Sequence, residues 1–141
     1  MKSISLTCFL IISFFGFAQE EQKIKATLEN YLNGTSYNVP DQISSAFYPE
    51  ADLFLSKKGQ DIFIMSVQEY SDLFKKREKG VFNGRTGRVL AIDISNTIAM
   101  AKAEIQIEKA KLRFIDIFLL KKIEKEWKII SKAATEIPWK D

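Results

Sequence analysis

Between residues 20 and 32, apolar side chains fall at Ile24, Leu28, Tyr31 and Leu32, with charged and polar residues between them. That spacing lines one face of an amphipathic helix and predicts one over Glu20 to Leu32. Asn33-Gly34 is its predicted stop, because both residues tolerate a left-handed backbone. Pro40 suits the first turn of a second, short helix carrying Ile43, Ala46 and Phe47. Ala51 to Ser56 and Asp61 to Met65 read as strands joined by Lys57-Lys58-Gly59-Gln60. Ser66-Val67-Gln68-Glu69 is a capping box, which opens a third helix with Val67, Tyr70, Leu73 and Phe74 facing inward.

After Asn83-Gly84 the period shortens to two. Arg85 to Ser95, Ile98 to Lys109, Leu112 to Lys122 and Trp127 to Ala134 are successive β patterns, with tight connections at Asn96-Thr97 and Lys109-Ala110-Lys111. In the second of these, Ala99, Ala101, Ala103, Ile105 and Ile107 alternate with Ile98, Met100, Lys102, Glu104, Gln106 and Glu108. One face is small and apolar, suited to close approach of a helix; the other is mixed, suited to solvent or to a polar dimer interface. Helices first and a meander of strands afterwards predict an α+β domain, with three helices packed on one mostly antiparallel sheet. Its inward set is expected to include Ile24, Leu28, Tyr31, Phe47, Leu73, Phe74, Ala101, Ala103 and Ile105.

The first 18 residues belong to a different pattern. Met1-Lys2 precedes a largely apolar run from Ile4 to Phe17, and Gly16 and Ala18 are small residues placed for cleavage after Ala18. This predicts a secretory signal peptide and a mature chain starting at Gln19. Cys8 sits too early in the run to carry a lipid. Cleavage removes Lys2 and no acid, lowering the formal charge from +3 to +2. The mature part, about 123 residues, suits a single domain over 19–141. It contains no cysteine, so disulfides and thiol catalysis are ruled out; an exported chain of this kind fits a bacterial periplasm or cell exterior. The whole sequence has no histidine, which removes Ser-His-Asp chemistry and most zinc sites. The near balance of 21 basic and 18 acidic residues argues against nucleic acid as a partner. No metal, cofactor or, after signal removal, membrane association is expected.

The order of these elements resembles the nuclear transport factor 2-like (SnoaL-like, cystatin-like) cone, and within it the bacterial group named putative lumazine-binding. The resemblance is carried by Leu28-Glu29-Asn30-Tyr31-Leu32-Asn33-Gly34, Ala46-Phe47-Tyr48-Pro49-Glu50-Ala51, Ser66-Val67-Gln68-Glu69-Tyr70, Phe114-Ile115-Asp116 and Trp127-Lys128-Ile129-Ile130-Ser131-Lys132. It spans nearly the whole mature chain. It implies a strongly curved sheet around the helices, an apolar pocket at the open end and frequent homodimers. Two positions depart from the group: Tyr48 stands where a histidine precedes the proline, and Ile123-Glu124-Lys125-Glu126 replaces a glycine turn.

One stretch carries the candidate chemistry. Phe114-Ile115-Asp116-Ile117-Phe118-Leu119-Leu120 places a carboxylate inside an apolar strand. Alternation puts Asp116 on the face of Leu112, Phe114, Phe118 and Leu120. A final hairpin pairing Lys122 with Glu126 sets Asp116 opposite Lys132, whereas a one-residue shift would oppose Lys121 to Lys128. Because like charges directly opposed are unfavourable, the first register is predicted, with an Asp116–Lys132 pair near the pocket. Tyr31, Tyr48, Phe54, Tyr70, Phe114, Asp116 and Lys132 are the expected ligand-binding residues, for a small apolar or aromatic ligand. Phe47, Phe63, Phe74 and Phe118 add aromatic surface that belongs to the core, and Trp127 reads as a plug at the core's edge. The resemblance also suggests proton transfer, with Asp116 as base and Tyr31 or Tyr48 as donor; a paired carboxylate weighs against it. A structural module that dimerises through its sheet is the third reading.

Overall fold

The computed structural model describes residues 5–57 and 59–140, with side chains from residue 16 onward except at 56 and 57. Ten elements follow in order: α1 (Ser5–Ser36), α2 (Pro40–Ser45), β1 (Phe47–Lys57), β2 (Gln60–Ser66), α3 (Val67–Asp72), β3 (Arg85–Ser95), β4 (Ile98–Ile107), a 3-10 turn (Glu108–Ala110), β5 (Leu112–Ile123) and β6 (Glu126–Ile137). The strands form one curved sheet in the order β2-β1-β6-β5-β4-β3. All neighbours are antiparallel except β1 and β6, the one parallel pairing, which lies inside the open sheet. The helices cover one face of it, as the sequence predicts.

Alternation decides what the core contains. Ala99, Ala101, Ala103 and Ile105 of β4 are buried, while Ile98, Met100 and Lys102 are exposed. From the helices, Ile24, Leu28, Tyr31, Leu32 and Ile43 fill the concave side. Helix α1 comes closest to β3, where an added Cβ at Gly87 would lie 2.6 Å from Leu32 Cδ2. Trp127 is buried at the edge; its indole Nε1 donates to Glu20 Oε2 at 2.8 Å. Lys122 pairs with the same carboxylate at 2.8 Å and, with Lys23 and Trp127, holds the Glu20 carboxyl down at about 2. The start of the packed part of α1 is thereby tied to the β5–β6 turn.

Four expectations are corrected. Helix α1 does not stop at Asn33-Gly34 but runs to Ser36, and the left-handed residue is Asn38, at φ 57. Gly34 has a packing role instead: an added Cβ would meet the backbone nitrogen of Ile43 at 2.9 Å, so its absence lets α2 lie against α1. Asn38 is held by donating to the carbonyls of Glu78 and Val81, and Asn83 donates to its Oδ1 at 2.6 Å. Leu73 is 53% exposed rather than inward, because α3 ends at Asp72 and the chain turns there; Val67, Tyr70 and Phe74 are buried as expected. The capping box is formed, with Ser66 N donating to Glu69 Oε2 and Glu69 N donating to Ser66 Oγ.

The third correction is the final hairpin. Lys122 pairs with Trp127, not Glu126, and Lys121 does lie opposite Lys128. The two ammonium groups avoid each other: Lys121 donates to Thr97 Oγ1 at 2.9 Å, while Lys128 donates to the Ser45 carbonyl and pairs with Glu126. The fourth concerns the even face of β4. Glu104 there is buried, clamped between Arg88 and Arg113, which hold its carboxyl down at about 2. Water is kept from this carboxylate by the two arginine side chains rather than by the core. The expected detachment of residues 1–18 from the core falls largely outside the described side chains; within them, Gly16, Phe17 and Ala18 are exposed.

Candidate functional site

Residue Asp116 is 1% exposed and Lys132 is 2% exposed, deep for a carboxylate and an ammonium. Lys132 Nζ donates to Asp116 Oδ2 at 2.7 Å. The pair forms although the two residues are not opposite: Asp116 faces Ala134, and Lys132 faces Phe118. A bulge accounts for this. Leu120 pairs with Ile129 and Leu119 with Ser131, so Ile130 is extra. Without it, the hairpin's register near the turn would set Lys132 opposite Ile117, on the outer face. The added residue restores Lys132 to the inner face, one diagonal step from Asp116, within reach of a long side chain.

Tyr31 comes from α1 and Tyr70 from α3. The Tyr31 hydroxyl accepts from Lys132 Nζ at 2.9 Å, donates to Asp116 Oδ2 at 3.4 Å and lies 3.0 Å from the Tyr70 hydroxyl. Its ring is fixed edge-on against Phe47 and Phe118, each with centroids 5.5 Å away. Tyr70 is fixed against Phe74. Lys132 Nζ also stands 5.0 Å from the Tyr70 ring centroid and 5.3 Å from that of Tyr31, within cation–π range.

The fifth member was not anticipated. Arg85, the first residue of β3, is half-buried beside Tyr31, Tyr70 and Asp116. Its Nε is buried without a hydrogen-bond partner among the described residues. Alternation places Arg85, Gly87 and Val89 on one face, but only the structure shows that Gly87 of that face lies under Leu32. An arginine at the start of a strand reads as solvated, and only the curve of the sheet turns it over the cluster.

The ionisation pattern follows from this crowd. Burial pushes the Tyr31 phenol up, Asp116 and Tyr70 add to that, and Lys132 opposes it without prevailing. At Tyr70 burial acts the same way, yet Lys132 and Arg85 together outweigh it and hold the phenol below its ordinary value. Burial alone would lower the Lys132 ammonium, but the oxygens of Tyr31, Tyr70 and Asp116 hold it above the usual lysine range. Arg85 is likewise held up by these groups against the opposing effect of burial.

These groups floor a cavity of about 140 Å³ lined by Leu55, Tyr70, Arg85, Phe114, Asp116, Lys132 and Ala134. Of the expected binding residues, Tyr31 is fully buried behind the floor, and Tyr70, Phe114, Asp116 and Lys132 reach the cavity. Tyr48 and Phe54 do not: they are 41% and 38% exposed. They alternate with Phe47 and Leu53 and so point to the outer side of β1. Two larger depressions of about 570 Å³ lie elsewhere, one between α1 and the β5–β6 turn, and neither contains a buried titratable group. Among the described residues, no cluster of histidine, cysteine or acidic side chains is arranged to hold a metal.

A family model described as "Putative lumazine-binding" matches residues 19–133. The chain belongs to that family. No curated protein matches it. Among solved structures, it is similar to an NTF2-like protein of unknown function from Shewanella baltica, 24% identical with a TM-score of 0.76, over 86% of this chain and 97% of that one. A second NTF2-like protein, from Methylobacillus flagellatus, is 22% identical with a TM-score of 0.73, over 84% and 93% of the two chains. A ketosteroid isomerase-like protein from Erwinia carotovora is 14% identical with a TM-score of 0.60, over 82% and 95%. These likenesses establish the NTF2-like, cystatin-like fold.

Proposed function

We propose that this chain is an exported small-molecule-binding domain without catalysis of its own. The observation that carries the reading is a polar, hydrogen-bonded floor (Asp116, Lys132, Tyr70), backed by Tyr31, under a cavity walled by Leu55, Phe114 and Ala134. Apolar walls with a few convergent polar groups are what a small-molecule site requires. A cavity of about 150 Å³ takes one benzene-sized ring. A single ring therefore fits within it; a bicyclic pteridine, which the family's description suggests, would extend out of its mouth or need Leu55 and Phe114 to move outward.

Proton transfer fits less well. A general base needs an oxygen free to meet the substrate's proton. Asp116 Oδ2 already accepts from both Lys132 and Tyr31, which leaves only Oδ1 to meet a substrate's proton.

Single-ring aromatic compounds are expected to raise the melting temperature saturably, since a ligand that binds only the folded state stabilises it by mass action. Leu55→Trp should fill the cavity and abolish that shift while the protein stays folded. A shift that persists in the filled variant, or none with any ring compound at millimolar concentration, would overturn the binding reading.

Export rests on the pattern of residues 1–18. N-terminal sequencing of protein recovered outside the cytoplasm should begin at Gln19; a retained Met1 would refute cleavage. We also propose that the outer face of the sheet binds a second copy of the chain.

A further inference from the structure

The buried cluster contains two cations, Lys132 and Arg85, and one carboxylate, Asp116. Asp116 is committed to Lys132. Arg85 has no ion pair among the described residues; the Tyr31 hydroxyl is a hydrogen-bond partner of its guanidinium, but its buried Nε has no acceptor among them. Leaving a buried donor unsatisfied is costly, and leaving a cation uncompensated in a half-buried site is costlier. No other acid lines the cavity to redress the imbalance. Its walls are apolar and its volume suits one ring.

We propose that the cavity binds a small aromatic or cyclic carboxylate, with the ring against Leu55 and Phe114 and the carboxylate on the Arg85 guanidinium. This rests on the binding reading above and adds the charge of the ligand. Arginine suits the role because its planar fork meets a carboxylate with two parallel hydrogen bonds. The ligand's single negative charge brings the cluster to neutrality and gives Arg85 Nε its acceptor. Tyr70 supplies an internal reporter. In the empty site, Lys132 and Arg85, helped by the Tyr31 hydrogen bond, draw its phenol toward the ionised form against burial, with Asp116 opposing. A bound carboxylate would cancel that pull.

The test compares benzoate, benzamide and benzylamine, which share a ring and differ in charge, by calorimetry on the wild-type protein. Benzoate should bind about tenfold or more tightly than benzamide, the value of one good charge-assisted contact, and benzylamine should bind least. Arg85→Gln should erase the benzoate preference while keeping benzamide affinity, and Arg85→Lys should restore part of it. If Arg85→Gln does not fold, the phenolate absorbance of the wild-type protein decides. One tyrosine should ionise below the ordinary range without ligand, and benzoate should move that transition upward, whereas benzamide should not. Equal binding of benzoate and benzamide would overturn the anionic assignment and leave the pocket reading intact. Failure of all three to bind would remove both.

Discussion

At the residue scale, the molecule turns on a charge pair that its surroundings make tolerable. Withdrawing an ion from water costs several kcal/mol, and the pair repays this only because Tyr31 satisfies both partners at once. Asp116→Ala would leave Lys132 and Arg85 as two uncompensated cations over an apolar core. The expected loss is about 3–5 kcal/mol, the usual result of breaking a buried pair. The double change Asp116→Leu with Lys132→Met removes one charge of each sign and fills similar volume, so it should destabilise less. Urea unfolding of both variants checks this; a double variant less stable than the single one would show that the pair acts through something other than charge compensation. This pair was legible in the sequence, because a lone aspartate in a strand of Phe, Ile and Leu requires a cation on the same face. Arg85 was not. Nothing in its neighbours Gly84 and Thr86 distinguishes it from a solvated arginine, and its role comes from the strand's place at the far edge of a bent sheet.

At the scale of elements, the boundaries of β3 through β5 could be read closely, since period-two alternation continues until a turn residue breaks it. The register of the last hairpin could not. The sequence argument compared whole registers and rejected the one that opposes Lys121 and Lys128, yet that register occurs near the turn. Two effects defeated it. Long lysine side chains find partners off their own strand, in Thr97 and in Ser45 and Glu126, so the repulsion is never incurred. A bulge at Ile130 then changes the register midway, which no comparison of uniform registers contains. The turn itself closes on Glu124 at φ 56, a conformation that glycine adopts more readily. Helix α1 shows a similar limit. Asn33-Gly34 resembles a stop signal, but the glycine serves the close approach of α2, and the backbone reverses at Asn38. A glycine that makes room and a glycine that ends a helix look alike until the packing is known.

At the scale of the whole molecule, a curved sheet with helices on one side leaves its other side bare. A row of neighbouring residues crosses four strands of that outer face: Ile64 beside Phe54, Phe54 beside Ala133, and Ala133 beside Ile117. Leu119 beside Met100 forms the next row. All six side chains are exposed. Scattered apolar residues on a surface need no explanation, but adjoining rows of them mark an interaction surface. Exposed Asp93 and Lys102 border the patch on the β3–β4 side, and they carry opposite signs. In a two-fold arrangement each surface meets its own copy, so the acid of one chain can approach the base of the other. A second copy satisfies both the apolar rows and the two charges, whereas a charged or nucleic-acid partner would leave the apolar rows unmatched. Light scattering should therefore give twice the chain mass at micromolar concentration. Leu119→Glu places like charges at the centre of a symmetric contact and should yield monomer with an unchanged melting curve at low concentration, because Leu119 contributes nothing to the concave core. A monomeric wild-type protein at high concentration, or a dimer indifferent to this substitution, would rule out the outer sheet as the contact.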